Sequence, residues 1–160
     1  MSNYGELKRE DYYEPRCAVC DPVTGLESSS MQSIPMQRIT EKLDEYCARK
    51  DFSGAERHLK YWLEEAKYTN DLRGQFSMHN EMMGFYRKQG QFEKACAHVD
   101  EAIRVMHELG NEDSPAAGTC YVNCGTVYDS FAMPKEALGY FEKAKVIYDH
   151  AEIGRASCRE

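Results

Sequence analysis

A regular alternation of large and small residues constrains this chain more than any other feature. In its clearest stretch, residues three and four positions apart fall on one face of each of two successive helices. The members of this pattern are Tyr121, Cys124, Gly125, Tyr128, Ala137, Phe141 and Ala144. Large residues fill the space between two antiparallel helices, and small residues let the two backbones approach closely. The spacing therefore predicts an all-α fold built from helical hairpins.

Two weaker copies of the pattern precede this one. The alanines that mark the second helix of each copy are Ala55, Ala95 and Ala137, which lie 40 and 42 residues apart. Self-similarity at a fixed period of this size is typical of stacked repeat units. The predicted units are about 36–70, 72–110 and 115–150, within a repeat domain of residues 34–151.

Local signals predict where several helices begin and end. Ser53 with Glu56 three residues later has the pattern of a capping box at the start of a second helix. Gly90 suits the left-handed conformation that follows a helix end. Pro115 and Pro134 each fit the first turn of a helix, where the missing N–H group has no partner to lose.

The large–small spacing resembles the tetratricopeptide repeat, in a long-period variant of about 40–42 residues rather than the common 34. The resemblance implies a right-handed α-solenoid fragment of about three antiparallel hairpins. The third unit fits best, whereas the first has Lys42 at an apolar position and Trp62 where a small residue is usual. Such stacks form curved surfaces that bind other proteins, so the resemblance implies a scaffold or adaptor without catalysis.

The first helix of each hairpin lines the concave surface in this family. The resemblance therefore places the peptide-binding candidates at Thr40, Asp44, Asn80, Arg87, Asn123 and Thr126. An asparagine amide can both donate to and accept from a peptide backbone, and an arginine can hold a carboxylate with its fork of donors. The alternative is a solvated inner face whose contacts lie in further repeats.

Charge and composition narrow the class of partner. A net charge of -7 argues against nucleic acid or an anionic membrane, because neither is attracted to an acidic surface. No stretch approaches the roughly 20 apolar residues of a membrane span, and no signal peptide is visible at the N-terminus. Seven scattered cysteines fit a reducing compartment. We expect a cytoplasmic protein that binds a protein or peptide, and its long repeat period resembles that of bacterial regulators.

Residues 1–33 have the composition of a flexible leader, with prolines, glycines and a serine run. Within the leader, Cys17 and Cys20 have the spacing of half a tetrahedral zinc site. A second pair of ligands is missing from the sequence, so no cofactor is expected. Zinc shared between two chains, redox chemistry and an unliganded pair remain the alternatives for these two cysteines.

The last nine residues, 152–160, do not continue the repeat. Back-translated, they resemble read-through of a sequencing adapter, which predicts a non-native tail on a protein that continues past Ala151. A natural polar tail is the alternative. In a chain cut here, Val146 and Ile147 would lack a following repeat to cover them, which predicts self-association through the last repeat.

Enzymatic chemistry has little support in the sequence. Four histidines are dispersed over the predicted helices: His58, His79, His98 and His107. Cys120 and Cys124 share a helix face but occupy packing positions, so we assign no catalytic residue. Two functional alternatives to the scaffold remain: the sensor part of a larger bacterial regulator, responsive to a peptide or joined to an effector domain, and a zinc- or redox-active protein.

Overall fold

The computed structural model describes the backbone of residues 33–157 and the side chains through Ala151. This part of the chain contains six α-helices and no strand. The helices are α1 (Met36–Ala48), α2 (Phe52–Tyr68), α3 (Leu72–Lys88), α4 (Phe92–Glu108), α5 (Pro115–Ser130) and α6 (Pro134–Ser157). The predicted all-α class is confirmed. The division into leader, repeat domain and tail stays a prediction.

The helices pair as three consecutive hairpins. α1 packs on α2, α3 on α4 and α5 on α6, and each hairpin contacts the next through α2 with α3 and α4 with α5. α3 also contacts α5, so the first helices of successive hairpins lie side by side. This arrangement is a short α-solenoid, as the sequence predicts.

One turn design ends all of the first five helices. A residue with φ between 53° and 69° lies two positions after the last residue of each of these helices: Lys50, Asn70, Gly90, Gly110 and Ala132. At the third of these turns, the amide of Gln91 donates to the carbonyl of Tyr86 at 2.9 Å, and the amide of Gly90 donates to that of Arg87 at 3.0 Å. This pair of bonds is the Schellman motif, which satisfies the last helical carbonyls. The prediction for Gly90 is confirmed.

The start of α2 differs from the predicted capping box. Its N-cap is Asp51, whose carboxylate accepts from the amide of Gly54 at 2.8 Å, so the assignment to Ser53 is wrong. Glu56 does not fold back to the cap, because its carboxylate accepts from the hydroxyl of Tyr86 at 2.9 Å and from Lys94 at 3.1 Å. These contacts join the first hairpin to the second. A hydrogen bond from Lys60 of α2, followed by those from Tyr86 and Lys94, lowers the pKa of Glu56 to about 2.

Both predicted proline starts are confirmed. Pro115 is the first residue of α5, and the hydroxyl of Ser114 before it accepts from the amide of Ala117 at 3.1 Å. Pro134 is the first residue of α6. A proline in the first turn costs no hydrogen bond, since the first N–H groups of a helix have no partner within it.

Large side chains pack on glycines where α5 meets α6. A Cβ atom on Gly125 would lie 2.6 Å from the ring of Phe141, and one on Gly118 would lie 2.9 Å from the ring of Tyr148. The two rings thus occupy space that any larger residue on α5 would need. Ala137 and Ala144, at the small positions of α6, are both buried. The large–small alternation of the sequence is therefore a real packing feature.

Two residues near the end of α6 were expected to be uncovered. Val146 is exposed over 54% of its surface, whereas Ile147 is buried with 7% exposed. The expectation for Ile147 was wrong because its side chain clusters with Met106 of α4 and Ala117 of α5. The hairpin α5–α6 and the preceding helix thus cover it without any further repeat.

Exchanging residues at the left-handed turn positions tests the turn design. We expect Gly90→Ala to lower the free energy of unfolding by about 1 kcal/mol, because the left-handed conformation disfavours a Cβ atom and no atom lies within 4 Å of that position. Ala132→Gly should raise it by roughly 0.5 kcal/mol, since the relief of strain exceeds the entropy that glycine adds to the unfolded chain. Urea denaturation of both variants measures the two changes. Changes in the free energy of unfolding that have the same sign in both variants would contradict the left-handed conformations assigned to these two residues.

A second pair of variants tests the α5–α6 contact. We expect Gly125→Ala to destabilise the protein by about 1–3 kcal/mol, because the new methyl group overlaps the ring of Phe141. Gly139→Ala is the matched control on α6, since nothing lies within 4 Å of its added Cβ, and alanine should stabilise that helix by roughly 0.5–1 kcal/mol. Thermal denaturation followed by circular dichroism compares them. A neutral Gly125→Ala would show that the two helices do not approach this closely.

Candidate functional site

The first helices of the three hairpins, α1, α3 and α5, line an open groove of about 310 Å³. Five of the six residues predicted from the sequence line this groove: Asp44, Asn80, Arg87, Asn123 and Thr126. Thr40 is not among the lining residues. The structure therefore brings five predicted side chains from three helices to one surface, while their binding role stays a prediction.

A hydrogen-bonded pair of asparagines joins α3 to α5 in the middle of the groove. The side-chain amide of Asn123 on α5 donates to the carbonyl oxygen of Asn80 on α3 at 3.2 Å. The amide of Asn80 in turn donates to the backbone carbonyl of Phe76 at 3.0 Å. Asn80 is therefore largely occupied in joining two repeats. Asn123 keeps its side-chain oxygen and its second amide hydrogen, and the described residues offer no partner to that oxygen.

The two threonines are satisfied by their own helices. The hydroxyl of Thr40 donates toward the backbone carbonyls of Met36 and Gln37, at 3.1 and 2.8 Å. The hydroxyl of Thr126 donates to the carbonyl of Val122 at 2.8 Å. Because a hydroxyl has one hydrogen, each threonine retains only acceptor capacity toward a ligand.

Charged side chains lie along the α3 wall of the groove. Arg87 makes a long hydrogen bond of 3.5 Å to the hydroxyl of Ser130, so most of its guanidinium donors remain available. Lys88 and Glu81 also line the groove. Burial raises the pKa of Glu81, Lys88 opposes that shift, and Asp44 on α1 adds to it. The groove therefore combines cationic and anionic groups within a short distance.

Sequence reasoning missed several lining residues on α3. Glu81, Gly84 and Lys88 lie three and four positions apart, which is the spacing of a single helix face. The helical period alone would have found them once Asn80 and Arg87 were assigned. Gly84 is notable because an added Cβ atom there would meet no atom within 4 Å. At this position the wall is open to a ligand.

Apolar residues complete the groove. Leu43, Met83 and Phe85 line it beside the polar groups, and all three are at least nine-tenths buried. Cys47 is an exposed free thiol on the α1 side. A surface that presents amide, charged and apolar groups together fits a peptide better than a small ion or a purely polar solute.

Comparison with known families bears on the second and third hairpins. Residues 75–149 match the family model described as tetratricopeptide repeat. This part of the chain carries tetratricopeptide repeats. The match runs from the first turn of α3 into α6 and so includes Asn80, Arg87, Asn123 and Thr126 of the groove. No curated protein and no solved structure gave a significant match.

The repeats bring two histidines together that are distant in sequence. His79 on α3 and His98 on α4 have their Nδ1 atoms 2.8 Å apart, so one ring donates to the other. His98 also stacks on Tyr86, with ring centroids 5.4 Å apart. His79 is 2% exposed, and its Nε2 atom is buried without a hydrogen-bond partner. The expectation that the histidines are dispersed was wrong for this pair, because the hairpin closes between them.

The other two histidines have different surroundings. The Nε2 atom of His58 lies 2.9 Å from the carbonyl oxygen of Ile39, which joins α2 to α1. Burial lowers the pKa of His58, so the neutral ring donates this bond near neutral pH. His107 is exposed near the end of α4 and pairs with Glu112 in the following loop.

The two cysteine pairs that the sequence singles out have different outcomes. Cys120 and Cys124 are 1% and 0% exposed in the hydrophobic core, and a hydrogen bond between their thiols lowers the pKa of Cys120 and raises that of Cys124. Cys17 and Cys20 lie outside the described residues, so the zinc hypothesis stays a prediction. Within residues 33–151, no three His, Cys, Asp or Glu side chains come together as a possible metal site. No described helix is long and apolar enough to cross a membrane.

The histidine pair predicts a pH-dependent stability. Burial, and for His79 also repulsion from His98, lowers the pKa of both rings from 6.5 to about 4. The unfolded chain therefore takes up protons between pH 6.5 and 4 while the folded chain does not, so stability falls as the pH falls through this window. We expect a loss on the order of 2–4 kcal/mol for the pair.

Urea denaturation at pH 7 and at about pH 4.5 measures this loss. His79→Met removes one of the two groups and should flatten the dependence, with His107→Gln as the control at an exposed histidine. A difference between the two pH values that is the same in wild type, His79→Met and His107→Gln would contradict the assigned pair.

Proposed function

We propose that these tetratricopeptide repeats form a protein-interaction scaffold that binds an extended peptide segment in the α1–α3–α5 groove, without a catalytic step. Stacked helical repeats generally mediate binding between proteins. The observation that carries the proposal is the convergence of Asp44, Asn80, Arg87, Asn123 and Thr126, from three successive hairpins, on one open surface. We further propose a cytoplasmic setting, which rests on the composition of the sequence, and a bacterial one, which rests on the long repeat period.

Asn123 supplies the contact to the peptide backbone. Its position in the groove is held by the bond to Asn80, so little side-chain entropy is lost when a ligand binds. The remaining acceptor and donor of the amide match the N–H and C=O groups of an extended segment. Asn80 acts as a support for Asn123 rather than as a contact of its own.

Arg87 supplies the contact to an acidic group on the ligand. Its guanidinium is half-exposed at the groove wall, and its one described hydrogen bond is the long one to Ser130. A charge-assisted bond from arginine to a carboxylate is about twice as strong as a neutral one. Lys88 on the same wall adds to the attraction, while Asp44 and Glu81 disfavour an acidic residue at the other positions.

A random peptide library displayed on phage and selected on the wild-type protein tests the proposed groove. Gly84→Phe places a ring in the groove where there is now open space, so we expect selected peptides to lose most of their binding. Gly139→Phe is the matched control, because it adds the same ring at an equally open glycine of α6. Peptides that bind all three proteins alike would place the binding surface elsewhere.

Two substitutions test the assigned contacts with a selected peptide. We expect Arg87→Ala to weaken binding by about 10-fold or more and Asn123→Ala by roughly 3–10-fold, as calorimetric dissociation constants. Arg104→Ala is the control, since this arginine lies on α4 and pairs with Glu101 and Glu108 outside the groove. Unchanged affinity in Arg87→Ala and Asn123→Ala would rule out both assigned contacts.

A further inference from the structure

Two rows of polar side chains run along the groove side of α3, and they differ in charge. Successive residues of a helix are turned by about 100° around its axis, so positions seven apart point almost the same way. Asn80 and Arg87 form one row, and Glu81 and Lys88 form the other. Gly84 falls between the rows, where an added Cβ atom would meet nothing within 4 Å. The open space over Gly84 thus separates the two rows.

The neighbouring helices show which way each row faces. Arg87 donates to the hydroxyl of Ser130 on α5 at 3.5 Å, so the first row faces α5. Burial raises the pKa of Glu81, and the charge of Asp44 on α1 raises it further, which places Glu81 on the side of α1. The groove is therefore polarised across the stack. Its α1 side carries two carboxylates, and its α5 side carries a guanidinium group.

The two carboxylates of the α1 side have no partner in the described part of the chain. Within residues 33–151, neither Asp44 nor Glu81 makes a hydrogen bond or an ion pair. The charge of Lys88 lowers the pKa of Glu81, but Lys88 lies two turns, roughly 10 Å, further along α3. A half-buried carboxylate beside a second one is costly to keep ionised. A cation supplied by a ligand would offset this cost.

The cation that fits the α1 side is a basic side chain rather than a metal ion. Calcium takes about six to eight oxygen ligands, whereas within residues 33–151 no three His, Cys, Asp or Glu side chains come together. An ammonium or guanidinium group is held well by one or two carboxylates. The net charge of -7 also attracts a basic segment over a longer distance.

We propose that the groove selects a peptide segment with a basic residue about three positions from an acidic one, an inference that rests on the proposed function. The basic side chain binds Asp44 and Glu81, and the acidic one binds Arg87. Adjacent helices lie about 8–10 Å apart and an extended chain rises roughly 3.3 Å per residue, which gives the spacing. Between the two charges, the peptide backbone passes over Gly84 and reaches Asn123.

The phage-displayed random library, selected on the wild type and on charge variants and then sequenced, tests this inference. We expect wild-type pools to be enriched in Lys or Arg about two to four positions from Asp or Glu. Asp44→Asn combined with Glu81→Gln should remove the basic enrichment and keep the acidic one, and Arg87→Gln should do the reverse. Glu41→Gln is the matched control, because this exposed carboxylate of α1 accepts from Gln37 and does not line the groove.

One peptide selected on the wild type measures the contact directly. By calorimetry, Glu81→Gln should weaken binding of this peptide roughly 3–10-fold, and it should not weaken binding of the same peptide with its basic residue replaced by alanine. Circular dichroism melting verifies that the variants are folded. We expect Glu81→Gln to melt no lower than the wild type, because glutamine removes a charge that burial disfavours.

The outcomes separate this inference from the proposed function. Pools that lose binding to Gly84→Phe but show no basic enrichment would overturn the inference alone. A basic enrichment that persists in the Asp44→Asn and Glu81→Gln double variant, or a lower melting temperature of Glu81→Gln, would do the same. Pools that bind Gly84→Phe as well as the wild type would overturn both, because the peptide then lies outside the groove.

Discussion

The left-handed turn after each helix is the constraint on which the rest of this structure depends. A single residue with positive φ reverses the chain within three positions, as at Lys50 between α1 and α2 and at Ala132 between α5 and α6. Because α2, α3 and α4 also have equal lengths of 17 residues, each reversal brings the next helix back along its predecessor. The first helices of the hairpins therefore face the same side, and the groove follows from that alignment.

Packing between the helices then decides which side chains reach the groove. Phe141 and Tyr148 press onto glycines of α5, which brings the α5 and α6 backbones close together. The α3–α5 contact instead leaves polar residues at the surface, where Asn80 and Asn123 bond to each other across two repeats. The groove is thus held by hydrogen bonds along its wall and by apolar packing behind it. A binding surface supported in this way is pre-organised, which reduces the entropy lost on association.

Much of the fold could be predicted from the sequence, because the large–small period and the prolines act locally. Pro115, Pro134 and Gly90 each determine a backbone feature by their own chemistry. The left-handed turn at Ala132 could not be predicted in this way, since alanine bears a Cβ atom and does not favour that region. The cap at Asp51 was missed for a different reason: two adjacent sequence signals compete there, and the structure uses the earlier one.

The groove residues could be predicted from the sequence where the helical period alone places them on one face of a helix. Residues on one face of α3 were identifiable, but the bond that occupies Asn80 depends on α5, 43 residues away. The contact between His79 and His98 likewise depends on how the α3–α4 hairpin closes. Such pairings between helices carry no local signal, and only the packed structure reveals them.

We propose that the α1–α3–α5 groove is the binding surface of these repeats. A ¹⁵N–¹H correlation spectrum of the labelled protein, titrated with a peptide selected on it, tests this proposal residue by residue. We expect the largest shifts at the amides of Gly84, Arg87, Asn123 and Thr126, which line the groove. Shifts confined to α2, α4 and α6, with the groove amides unchanged, would contradict the proposal.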